Sequence, residues 1–138
     1  MPTWQRDAGC HTLRLGPVTL VSAARARPTI TGLPWDPDGT YEDDRPRRPA
    51  DVERQRLISG FADLVMVAPV EGVLALMQCS LSECADRLGY QYQALHKWVQ
   101  GDREMSRPAR VSVLAQLGVV RRGRRWALAS DDNDNVEV

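Results

Sequence analysis

The chain has 138 residues with 18 basic and 18 acidic side chains, so it is formally neutral. That length suits one domain, or one small domain with an extension. No stretch is long and apolar enough to span a bilayer, the first ten residues lack an apolar signal core, and the three cysteines lack metal-ligand spacing, which together lead to the expectation of a reduced, cytoplasmic protein without membrane contact, cofactor or metal.

Residues 12–33 read as β structure. Leu13 and Leu15, then Val18, Leu20 and Ser22, alternate around Gly16-Pro17, the pattern of a hairpin or a kinked strand. Residues 28–31 allow a further short strand. Residues 34–50 are rich in proline and charge and almost lack aliphatic side chains, so a mobile linker or arm is expected there. A helix is expected from about Asp51 to Val67, with Leu57, Phe61, Leu64, Val65 and Ala68 as its apolar stripe. Pro69 breaks it and suits the first turn of a second helix over 70–78.

The stretch from Leu81 to Gly101 is the most informative. Ser80 and Glu83 form an S-x-x-E capping box. Leu81, Cys84, Ala85 and Leu88 then repeat at helical spacing, and Gly89 ends the helix because glycine takes the left-handed conformation cheaply. Leu95, Trp98 and Val99 give a second helical face, ended by Gly101. Ser106 and Pro108 begin a further helix that Gly118 ends. Val119-Val120 and Trp126-Ala127-Leu128 flank Arg121, Arg122, Gly123, Arg124 and Arg125, as in a short hairpin. The last residues, 129–138, are acidic and expected to be disordered.

A small residue at Ala85, glycine four positions later and leucine at 95 are what two steeply crossing helices require. With Leu88-Gly89, Trp98, Gly101 and Leu114-Ala115-Gln116-Leu117-Gly118, the segment 70–120 resembles the lambda-repressor-like (Cro/Xre-type) helix-turn-helix family. Taken with the strand and hairpin patterns above, the expected fold is α+β: a mainly helical helix-turn-helix core over 51–128 with a wing-like C-terminal hairpin, and a small N-terminal β segment over 1–33. The resemblance implies double-stranded DNA as partner and binding as a homodimer; the candidate dimer surfaces in this chain are the 51–67 helix and the N-terminal β segment.

Charge distribution agrees with a nucleic-acid partner. Residues 81–128 carry nine basic and four acidic side chains, although the whole chain is neutral. In the resemblance's frame, Gln91, Tyr92, Gln93, His96, Lys97 and Gln100 form the outer face of the recognition helix. Glutamine can pair with adenine and lysine with guanine acceptors. The plain alternative is an ordinary solvated helix face. Arg121, Arg122, Arg124 and Arg125 repel one another and suit phosphate or minor-groove contact, against the alternative of a merely solvated turn. Trp98 fits a core position better than a ligand contact.

Nothing points to catalysis. Cys10 and His11 are neighbours on one strand and point apart. Glu83 already has a capping role, which weakens a carboxylate pair with Asp86. The expected function is sequence-specific transcriptional regulation in a bacterium, phage or mobile element. Two alternatives stand beside it. One is DNA recognition within a packaging, recombination or partition assembly whose protein partner docks on residues 1–50. The other is a regulatory factor acting on RNA polymerase.

Overall fold

The computed structural model describes residues 2–46 and 48–130. Five strands form an antiparallel meander: β1 (Gln5–Asp7), β2 (Cys10–Leu15), β3 (Val18–Ala23), β4 (Thr29–Leu33) and β5 (Asp36–Glu42), each paired with its sequence neighbour. Helices follow: α1 (Ala50–Val67), α2 (Val70–Ala75), α3 (Leu81–Leu88), α4 (Tyr92–Gln100) and α5 (Arg107–Gln116). The hairpin β6 (Val119–Arg122) with β7 (Arg125–Leu128) ends the described fold. Among the described residues, no helix is long and apolar enough to cross a membrane.

Two expectations need correction. The β segment is a five-stranded sheet, larger than the small N-terminal element expected over 1–33. Within the stretch 34–50 expected as a linker or arm, residues 36–42 instead form the strand β5. That strand orders itself through backbone pairing with β4 (Ile30 opposite Tyr41, Thr31 opposite Thr40) rather than by burying aliphatic side chains. Pro37 and the acidic side chains are tolerated because β5 is an edge strand with mostly exposed side chains. Beyond it, the Asp43 N–H donates to the Pro28 carbonyl at 3.0 Å. The buried Asp43 carboxylate accepts two bonds from the Arg45 guanidinium at 2.9 and 2.7 Å.

The sheet lays Leu13, Leu15, Val18, Leu20 and Ile30 on the core, while Arg14 between them is exposed. α1 covers this layer with Leu57, Ile58, Phe61 and Val65, and also packs against α5 and β7. Two close contacts tie the sheet to the helices. Gly16, at the β2–β3 turn, lies so near the Leu76 carbonyl that a Cβ would stand 2.7 Å from it. A Cβ on Gly72 would stand 2.8 Å from the Trp35 ring. α2 ends at Ala75, short of the expected Gln78, because the chain turns through Leu76 and Met77 and enters positive φ (55°) at Gln78.

The acidic tail expected over 129–138 lies outside the described residues from 131 on. Ala129 and Ser130 are held: the Ala129 N–H donates to the Gly118 carbonyl and the Ser130 hydroxyl to the Pro2 carbonyl, both at 2.8 Å.

Candidate nucleic-acid interface

α3 and α4 are two short helices joined by a three-residue turn. Ser80 caps α3 reciprocally: its hydroxyl accepts the Glu83 N–H at 3.1 Å, and the Glu83 carboxylate accepts the Ser80 N–H at 3.4 Å. Cys79 and Cys84 stand just outside and four residues inside that cap, with their sulfurs 3.4 Å apart, the positions of an apolar staple. Burial, reinforced by the Cys79 hydrogen bond, pushes the Cys84 thiol up to about 12. Both are free thiols.

Gly89 closes α3 at φ 76°, and the N–H groups of Gly89 and Tyr90 both return to the Ala85 carbonyl at 2.9 and 3.0 Å. Tyr90 then turns back over α4, its ring meeting Trp98 edge-on with centroids 5.1 Å apart. Leu95 is fully buried and Trp98 nearly so. With these pinned inward, Tyr92, Gln93, His96, Lys97 and Gln100 are exposed on one side of α4, and Gln91 is exposed at its N-cap. Tyr92 and His96 stack at 5.9 Å. α4 packs on α2 and α3.

Ser106 accepts the Ala109 N–H at 3.3 Å and starts α5. The connection from α4 carries Arg103, which with Gln93, Lys97 and Ser106 borders a shallow concavity of about 430 Å³ beside the α4 face. Arg103 was not among the residues expected here. Its signal in the sequence is a basic residue two positions past the glycine that ends α4.

The basic residues of this half of the chain do not act alike. Arg110 is structural: one terminal nitrogen donates to the Val65 and Ala68 carbonyls, each at 2.8 Å, and closes the end of α1. Arg87 stands 3.9 Å from Glu83 on the same helix.

The hairpin forms as expected, with Gly123 (φ 62°) first in a two-residue turn. Its arginines do not share one face. Arg121 is paired with Trp126 and lies over that ring at 5.2 Å. Arg122 and Arg125 are paired on the other face, where Arg125 lines a groove along α1. Arg124 is exposed at the tip. The hairpin packs on α1 and α5, so its support differs from that of α4.

On the sheet, burial lowers the His11 pKa, and Arg54 and Arg6 lower it further, while the Cys10 sulfur lies 3.9 Å from the Thr12 hydroxyl. No protein-family model, curated protein or solved structure matches the chain.

Proposed function

We propose that the chain is a sequence-specific DNA-binding transcriptional regulator in which α3, its turn and α4 act as a helix-turn-helix. The observation that carries this reading is the α4 face: five polar, exposed side chains (Tyr92, Gln93, His96, Lys97 and Gln100), with Gln91 exposed at the N-cap, on a helix whose opposite side is fixed in the core by Leu95 and Trp98. An α-helix with its side chains is about 10–12 Å across and fits the major groove, which is about 12 Å wide. Gln91, Gln93 and Gln100 offer paired donor and acceptor groups to adenine, and Lys97 reaches guanine acceptors. Arg103, which borders the concavity beside the same face, would contact phosphate in this reading. Arg121, Arg122, Arg124 and Arg125 add positive charge from the hairpin. Two copies on paired half-sites, about 34 Å apart centre to centre, would complete the arrangement.

Binding titrations on a preferred site and on random DNA test the division of labour. Gln93→Ala and Lys97→Ala should each lose about 1–3 kcal/mol on the preferred site and less on random DNA. Alanine at all four hairpin arginines should weaken both DNAs and flatten the log K versus log salt slope by about one unit per lost phosphate contact. Equal losses on both DNAs for the α4 variants would remove the base-reading role. An unchanged slope for the hairpin variant would direct those arginines away from DNA.

A further inference from the structure

We propose that the outward face of α1 is a self-complementary docking surface that takes a second copy of this chain, with the two α1 helices antiparallel. α1 turns Leu57, Ile58, Phe61, Ala62 and Val65 to the core. The opposite side carries Val52, Arg56, Ser59, Gly60, Asp63 and Val67, and forms the floor of a groove of about 940 Å³ walled by Tyr41, the 43–45 segment and Arg125.

The occupant follows from the pattern along that face. Reflected about the bond between residues 59 and 60, Arg56 falls on Asp63, and Val52 falls on Val67. A two-fold axis there places Arg56 of each copy against Asp63 of the other and caps both ends with valine pairs. An isologous interface has this property: the same patch complements itself, and every contact occurs twice. Val67, 81% exposed and the most exposed large apolar side chain among the described residues, gains cover. Asp63 is exposed, and no ion pair to a described basic side chain engages it.

Close approach is sterically open at the axis. A Cβ built on Gly60 meets nothing within 4 Å, so the chain itself does not need a glycine there, whereas helix axes approach closest where side chains are small. Charge argues against nucleic acid as the occupant. Asp43, Asp44, Asp51 and Asp63 line the groove beside Arg45, Arg56 and Arg125, a balanced mixture with a slight acidic excess. The symmetric contacts use α1 residues and no part of α4, so they do not depend on the DNA reading, although Arg125 of the hairpin borders the groove.

The test is the oligomeric state of the full chain without DNA, by sedimentation over about a thousandfold concentration range. A monomer–dimer equilibrium is expected. Arg56→Asp and Asp63→Arg should each weaken it at least about tenfold, since each change creates two like-charge contacts. The double variant should recover most of the loss. Gly60→Gln should weaken the dimer while the monomer melts no lower than wild type, because the helix gains a better helix former in open space. Arg56 also donates to the Pro46 carbonyl at 3.2 Å. If Arg56→Asp unfolds, Asp63→Arg and Gly60→Gln decide the matter alone. A monomer at every concentration would overturn the proposal. So would a dimer indifferent to these changes, or a double variant no better than the singles.

Discussion

Tyr90 and Trp98 meet edge to face at 5.1 Å and 70°, joining the turn after α3 to the last third of α4. This contact, with Leu95 beneath it, fixes the rotation of α4 and so decides which side chains face solvent. Trp98→Ala should cost about 3–5 kcal/mol in a denaturant melt, as for a large aromatic removed from a packed core. Tyr90→Ala should cost less, because Tyr90 is only half-buried. A Trp98→Ala protein that melts like wild type would mean that α4 is held by something else.

Arg110 links two helices that the sequence separates by about forty residues, closing the α1 carbonyls at 65 and 68. Arg110→Met keeps the aliphatic stem and loses the donors, and should destabilise the fold by about 1.5–3 kcal/mol. It should leave the salt dependence of DNA binding unchanged, since this guanidinium is already engaged. A flatter slope in that variant would assign Arg110 to phosphate.

The hydrogen bond from Arg45 holds the Asp43 carboxyl below the usual carboxylate range, with nearby positive charge adding to it. A folded-state pKa below the unfolded one gives stabilisation that is fully present above about pH 4 and is lost as pH falls through the folded value. The end of β5 should therefore resist a broad-specificity protease at neutral pH and open in acid. Asp43→Asn should open it at neutral pH. Rapid cleavage of the wild type in 34–46 at pH 7 would contradict the pairing.

Cys84 is nearly inaccessible, and its thiol is pushed up to about 12 by burial and then by the Cys79 hydrogen bond. The thiolate is the reactive form, so at pH 8 an alkylating reagent should leave Cys84 unmodified in the native protein and label it after denaturation, as read by peptide mass. Labelling of native Cys84 at the rate of a free thiol would show that the start of α3 opens readily.

The α3–α4 unit was legible in the sequence because its signals are local. Ser80 and Glu83 cap within one turn, Gly89 and Gly101 end helices at their own positions, and Leu95 and Trp98 mark one face by spacing. β5 was not legible, because its order comes from pairing with β4, which local composition does not record. Asp36, Pro37 and Gly39 read as loop residues until an edge strand places them. Charge was legible in amount and not in use. Arg110 counted as basic surface but closes α1, and the hairpin arginines divide between two faces because strand pairing sets Arg121 with Trp126 and Arg122 with Arg125. The 51–67 helix was already a candidate dimer surface in the sequence, but the side chains left free on its outward face became readable only once the sheet, α5 and β7 had claimed the other side.

Selection of bound fragments from a random-sequence DNA pool by the full chain tests the central claim most directly. A short enriched motif is expected, with Gln93→Ala or Lys97→Ala relaxing preference at one or two positions and the hairpin variant retaining the motif at lower affinity. A pool that emerges without enrichment would contradict the claim that α4 reads sequence, as would a motif untouched by the α4 substitutions.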